Sequence, residues 1–283
     1  MRVMLRDGTR LHVRASGSGE PLLLLHGFTG SGESWGERVV AGLARSRRVL
    51  AVDLPGHGLS DAPREPGRYA MEAVVADLCD MLDGFGIGTV DWVGYSMGGR
   101  VALGAAVLAP RRVRRLVLEG ASPGVSGERE RSERRIADAV LARRTRAEGI
   151  EWFVTEWEKR PVFATQHGLP SDLRAAQRGR RLANDPEALA ACLGGLGVGS
   201  QPSFWRDLDG VNGPVLVLVG EKDAKFREIG RAMVARLPEA RMEIAPGAGH
   251  AVHLEAPDAW LERVGAFLGP GAEGVSVGER DGP

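Results

Sequence analysis

The 283-residue chain carries 37 basic and 37 acidic side chains, a formal net charge of zero, with 26% charged and 43% hydrophobic residues. This composition fits a globular protein with one large domain, or one domain carrying a sizeable insertion. It argues against nucleic acid or an anionic membrane as the main partner. Only Lys159, Lys222 and Lys225 are lysines, so 34 of the 37 cations are arginine, and the 40 glycines are about twice the usual ~7% share. Residues 1–7 lack the apolar run of a signal peptide, and the aliphatic runs at 22–25 and 215–219 are far too short to span a membrane. Cys79 and Cys192 are too few for a disulfide framework and have no metal-ligand spacing. A soluble cytoplasmic protein without membrane insertion is the expectation.

In chain order, residues 3–6 and 10–14 flank Asp7-Gly8-Thr9 and predict a hairpin. Short Val/Leu runs follow at 22–25, 49–52, 90–93, 116–118, 215–219 and 242–244. They are continuous rather than alternating, which predicts strands covered on both faces and hence a mostly parallel sheet. Segments 70–85, 96–109, 225–237 and 257–268 have helix-compatible patterns, giving the β-α-β rhythm of an α/β fold. The rhythm breaks over 127–209, which has no strand-like run and is helix-favouring sequence interrupted at Gly149, Pro161, Pro170 and Pro186. Within 128–181 there are 13 basic and 9 acidic side chains, a local charge of +4. The expected organisation is an α/β core at 1–126 and 210–268, a helical cap at 127–209, and a disordered tail at 269–283. No internal repeat is present.

The sharpest chemical signal is Gly94-Tyr95-Ser96-Met97-Gly98-Gly99, directly after one strand run and before a helix. Gly-x-Ser-x-Gly in that context is a nucleophile elbow: the serine sits on a strained turn, and the small residues let strand and helix approach. The helix start behind Ser96 offers free N–H groups, so the Met97 N–H is a natural oxyanion donor. Asp223 follows the run at 215–219 in Gly-Glu-Lys-Asp, and His250 follows the run near Ile244 in Gly-Ala-Gly-His. Serine, acid, histidine in this order is a triad in which His250 acts as base toward Ser96 and the carboxylate fixes its tautomer. Glu221 competes for the acid role, but Asp223 lies deeper in the post-strand loop. His26-Gly27-Phe28 follows the run at 22–25, where the second oxyanion N–H is expected from Phe28, with His26 structural. The segment from Asp53 to Ser60 is turn-rich and shapes its loop rather than reacting. His12, His167 and His253 have no partners suggesting a metal, and there is no P-loop or complete G-x-G-x-x-G. No cofactor or metal is implied.

The segments HGFTG, DLPGHGLS, GYSMGG, GEKD and GAGH together resemble the α/β-hydrolase fold over residues 1–268. Within that fold, GYSMGGRVAL, SERR at 132–135, EWEKRPVFA at 156–164 and GEKDAKF at 220–226 resemble the menaquinone-pathway synthases that form 2-succinyl-6-hydroxy-2,4-cyclohexadiene-1-carboxylate (SHCHC). That resemblance implies a carbon–oxygen lyase that expels pyruvate from a polycarboxylate precursor, with Ser96 as base and no acyl-enzyme required. It further implies substrate contacts from Tyr95, Arg100, Arg134, Trp157, Phe163 and Arg181. The register stays open between Arg134 and Arg135 and between Arg180 and Arg181. A basic cap suits several carboxylates, because arginine offers permanent charge and a bidentate fork. Two alternatives share the fold: a serine hydrolase of esters or carbon–carbon bonds, and a non-catalytic binding protein. The second is disfavoured by the presence of all three triad residues, and haloalkane or epoxide chemistry by Ser96 where those relatives use Asp.

Overall fold

The structure, a computed structural model, describes residues 1–269. Apart from Gly269, the tail expected at 269–283 lies outside the described residues. A hairpin pairs β1 (Arg2–Met4) with β2 (Arg10–Ser16). There follow β3 (Glu20–Leu25), α1 (Gly36–Ala44), β4 (Arg47–Val52), α2 (Met71–Gly84), β5 (Val90–Tyr95), α3 (Met97–Leu108) and β6 (Val113–Glu119). The chain then leaves the sheet for α4 (Glu128–Glu158), a 3-10 segment (Pro161–Gly168), α5 (Ser171–Leu182) and α6 (Pro186–Leu196). It returns through β7 (Val215–Gly220), α7 (Ala224–Val234), β8 (Ala240–Ala245), α8 (Val252–Glu255) and α9 (Pro257–Leu268).

The strands form one eight-stranded sheet in the order β1-β2-β4-β3-β5-β6-β7-β8. Only β1 and β2 run antiparallel to their neighbours; β3 through β8 are parallel. The continuous apolar runs are explained by a core on each face. On β3, Leu23 and Leu25 enter the core that holds α2 and α3, while Leu22 and Leu24 enter the one that holds α1 and α9. The same alternation divides Val215, Val217 and Val219 from Leu216 and Leu218 on β7. Each fully buried leucine contributes roughly 1.5–3 kcal/mol, so these central strands carry much of the stability.

Two local differences from the sequence reading have physical causes. The first strand stops at Met4, because Leu5 turns into the core and Arg6 swings out to Asp80 and Asp83. Helix α1 was not expected from its short apolar pattern; burial of Val39 and Leu43 in the same core as Trp260 and Val264 stabilises it. In the inserted segment the expected breaks fall where α4 kinks at Gly149 (φ 81°), at Pro161 and Pro186 in first helical turns, and at Pro170 before α5. Among the described residues no helix is long and apolar enough to cross a membrane.

The N-terminal ends of the parallel strands hold a buried ion cluster. Asp91, fully buried on β5, accepts from Arg47 Nη1 at 2.8 Å and from Arg114 Nε and Nη2 at 2.8 and 2.9 Å. The C-terminal ends carry the residues of the next subsection, so the two ends of one sheet do different work.

Candidate active site

The loops after β3, β5, β7 and β8 converge on one cleft. Ser96 follows β5 with φ 50° and ψ −108°, a backbone conformation that a non-glycine residue holds only under constraint. The constraint is visible at Gly98, where a Cβ would stand 2.1 Å from the Leu25 carbonyl oxygen; α3 therefore packs directly on the end of β3. The Ser96 N–H donates to the Glu119 carbonyl at 2.8 Å, fixing the elbow to β6.

His250 Nε2 lies 3.2 Å from Ser96 Oγ, and His250 Nδ1 lies 2.7 Å from Asp223 Oδ2. The structure thus brings the serine, histidine and aspartate into one line. The other carboxylate oxygen of Asp223 accepts from the Phe226 N–H at the start of α7, which orients the acid. Glu221 instead accepts from the Gly247 N–H at 2.8 Å and does not reach His250. Glu255 grips the histidine loop from α8, taking the N–H of Gly249 at 2.7 Å and of Ala251 at 3.1 Å. The imidazole is further packed by Phe226 and Tyr95, with ring centres 4.6 and 5.3 Å away. Sequence reasoning missed Glu255; a carboxylate five residues after a loop histidine is too common a pattern to single out.

The backbone N–H groups of Phe28 and Met97 have no acceptor among the described residues. Phe28 follows β3, and the next residue, Thr29, also has a positive φ of 70°. Two strained non-glycine residues, Thr29 and Ser96, therefore line the same cleft. The Thr29 carbonyl accepts from Asn184 Nδ2 at 3.0 Å, linking this loop to the inserted helices. The Phe28 ring leans on Trp157 (5.2 Å) and Phe153 (6.0 Å), and Trp157 on Phe163 (5.8 Å), forming an aromatic wall over the serine.

Tyr95, Trp157, Phe163, Arg180 and Arg181 line the cleft with Ser96. Arg100 and Arg134 do not. Arg100 is buried below, donating to the Leu196 carbonyl at 2.7 Å and to the Gln201 side chain. Burial, with Arg134 nearby, pulls its pKa down to about 10. Arg134 pairs with Asp138 one turn along α4 at 2.9 Å. His26 is structural: its Nδ1 faces the Gly27 carbonyl at 2.8 Å, and its Nε2 accepts from the Leu54 N–H at 3.0 Å. The loop after β4 is organised by Asp53, which accepts from the N–H groups of Gly32 and Leu59 and faces His12.

One feature of the cleft was not legible in the sequence. His253 lines it beside Ser96, and its Nδ1 and backbone N–H both contact the fully buried Glu119, at 2.8 and 3.1 Å. Trp260 Nε1 occupies the other carboxylate oxygen at 2.8 Å. The available signal was an acid closing an otherwise apolar strand run.

The alpha/beta hydrolase fold family matches residues 20–257. A Bacillus subtilis (strain 168) protein, provisionally named 2-succinyl-6-hydroxy-2,4-cyclohexadiene-1-carboxylate synthase, is 40% identical over 95% of this chain and 98% of its own. The synthase of that name from Salmonella paratyphi C (strain RKS4594) is 35% identical over 91% of this chain and 97% of its own. The chain belongs to the α/β-hydrolase fold family, among the SHCHC synthases. Among solved structures, MenH from S. aureus has a TM-score of 0.87 at 31% identity, covering 91% of this chain and 97% of that one. For an enzyme of this family, Ser96, His250 and Asp223 stand in the arrangement of a serine-type triad.

Proposed function

We propose that this chain is a carbon–oxygen lyase of menaquinone biosynthesis. It eliminates pyruvate from 2-succinyl-5-enolpyruvyl-6-hydroxy-3-cyclohexene-1-carboxylate to give SHCHC. The observation that carries the reading is the Ser96–His250–Asp223 line opening into a cleft walled by guanidinium and aromatic groups. An esterase pocket for an apolar acyl chain has no use for the guanidinium part of that wall.

In this reading His250 Nε2 takes the proton of Ser96 Oγ, and Ser96 removes the proton beside the succinyl carbonyl. Charge developing on that carbonyl oxygen is received by the N–H groups of Phe28 and Met97, which need no reorganisation to donate. The electron pair then moves through the ring as the enolpyruvyl C–O bond breaks, and the departing enolate takes up a proton to become pyruvate. Asp223 holds the imidazole and balances the charge it acquires. Tyr95, Trp157, Phe163 and Arg181 line the substrate, while Arg100 and the Arg134–Asp138 pair lie behind them. Residues 127–209 act as a cap over the cleft. The partner is a small anionic polycarboxylate, and the setting is the cytoplasm.

Purified protein given the authentic precursor is expected to release pyruvate, and Ser96→Ala to lower kcat by at least about 10³-fold. No pyruvate from wild type, or an unchanged rate in Ser96→Ala, would sink the reading. The same relay suits a serine hydrolase, so Ser96-dependent turnover of p-nitrophenyl esters without pyruvate release would favour that alternative.

A further inference from the structure

The cleft holds a second imidazole–carboxylate pair that the relay does not use. His253 Nδ1 lies 2.8 Å from Glu119 Oε1, much as His250 Nδ1 lies 2.7 Å from Asp223 Oδ2. Both imidazoles pack on the Tyr95 ring, at 5.3 Å for His250 and 4.7 Å for His253. Glu119 closes β6 and is fully buried. Its Oε1 also accepts from the His253 backbone N–H at 3.1 Å, and its Oε2 from Trp260 Nε1 at 2.8 Å. Trp35 covers the His253 ring at 4.7 Å. The imidazole is thereby held in one orientation. Nδ1 is engaged by Glu119, whereas Nε2 has no partner among the described residues and is not sealed off from the cleft that His253 lines.

A buried carboxylate is a costly way to pack a loop, since apolar side chains fill the same space without desolvating a charge. Orienting an imidazole toward a reacting group is what the matching arrangement does at His250. Pyruvate elimination removes a proton at one ring carbon and delivers one to the departing enolpyruvyl oxygen. Ser96 and His250 perform the first task. For the second, His253 is the one imidazole lining the cleft, and no Asp, Glu, Lys or Cys lines it among the described residues. Burial, reinforced by Glu119, holds the Tyr95 phenol well above its ordinary pKa, so Tyr95 keeps its proton. The guanidinium groups of Arg180 and Arg181 do not give up protons near neutral pH.

We propose that His253, held by Glu119, is the proton donor to the leaving group. The assignment rests on the pyruvate-elimination reading and adds a second catalytic imidazole to it. The electron pair of the C–H bond becomes a ring double bond, the existing one shifts by one place, and the C–O pair leaves with oxygen. His253 Nε2 gives that oxygen its proton, and the enolpyruvate formed ketonises to pyruvate. His250 then returns its proton to water and His253 takes one up, which restores both for the next turnover.

The test is pyruvate release in D2O by wild type and His253→Asn, each with its thermal melt, together with deuterium uptake into unreacted precursor. Asparagine carries an N–H at the place of imidazole Nδ1 and no atom at that of Nε2, so it keeps a donor for Glu119 and removes the acid. His253→Asn is expected to lower kcat about 10²-fold with KM within about 3-fold of wild type. The ring C–H beside the succinyl carbonyl is expected to exchange at least as fast as with wild type, because Ser96 still removes that proton. A fall in kcat of less than about 10-fold overturns the proposal. So does a loss of exchange in step with pyruvate release, which marks damage to the relay rather than loss of an acid. If His253→Asn melts below the assay temperature, His253→Gln, which fills the place of Nε2 with an amide that gives up no proton, carries the same expectation. If wild type releases no pyruvate, the elimination reading falls and the proposal with it. Wild-type release matched by His253→Asn overturns the proposal alone.

Discussion

Two carboxylates separated by one residue show how little room a proton relay leaves for exchange. Asp223 lies 2.7 Å from His250 Nδ1, whereas Glu221 is engaged by the Gly247 N–H. Asp223→Asn keeps the shape but favours the wrong tautomer, and is expected to lower kcat about 10⁴-fold with little change in KM. Glu221→Gln keeps an acceptor for Gly247 and is expected to hold kcat within about 2- to 3-fold. Pyruvate release by the two variants, measured side by side, checks both. At this scale the sequence pointed to Ser96, Asp223 and His250, which the structure brings within hydrogen-bond reach, because the elbow and the two post-strand loops are local signals. It left Arg180 and Arg181 undivided, since adjacent residues on a helix differ only in what surrounds them.

The strands divide the molecule into a reactive end and a structural end. Loops beyond β3, β5, β7 and β8 supply Phe28, Ser96, Asp223 and His250, while the opposite end is held by Asp91 with Arg47 and Arg114. Removing the buried carboxylate leaves guanidinium groups uncompensated. Asp91→Ala is therefore expected to cost about 3–5 kcal/mol, seen as a lower urea midpoint, while kcat of the folded enzyme stays near wild type. Gly98→Ala acts at the reactive end: a Cβ 2.1 Å from the Leu25 carbonyl forces β3 and α3 apart. Loss of pyruvate release or of soluble protein is the expected outcome, because the elbow then cannot close. The strands were readable because burial on two faces demands unbroken Val/Leu runs. Helix α1 was not, because its stability comes from packing beside α9 rather than from its own nine residues.

Across the whole molecule, two buried histidines link stability to pH. Burial, reinforced by neighbouring His26, lowers the His57 pKa from 6.5 to about 3, and burial lowers that of His26. Both imidazoles stay neutral in the folded protein, so just below about pH 6.5 the unfolded chain binds more protons. Stability therefore rises with pH through this window. As pH falls from 6.5 it is lost at about 1.4 kcal/mol per pH unit for His57, continuing toward pH 3, with His26 adding in the same direction. The urea midpoint is expected to fall between pH 7 and pH 5.5, and His57→Asn to flatten that fall. Charge is likewise arranged at this scale. Many of the inserted segment's arginines are bound up in pairs such as Arg134–Asp138, Arg144–Glu148 and Arg181–Glu158, which its net +4 already counts as neutral. What reaches the cleft is far less than the arginine count implies.

The sequence by itself determined the strand succession, the elbow, the chain order of the proposed relay and the place where the helices are inserted. Each of these depends on local chemistry: aliphatic runs, small residues around a serine, and Gly or Pro breaks at Gly149, Pro161, Pro170 and Pro186. Only the tertiary structure decided which charges are spent and which are free. It placed Arg100 beneath the cleft, closed Arg134 onto Asp138, paired His253 with Glu119, and left Arg180 lining the cleft with its Nε without an acceptor among the described residues. The reason is physical: a guanidinium is the same group at every position, and its role follows from the carboxylates and carbonyls that the fold brings within about 3 Å of it.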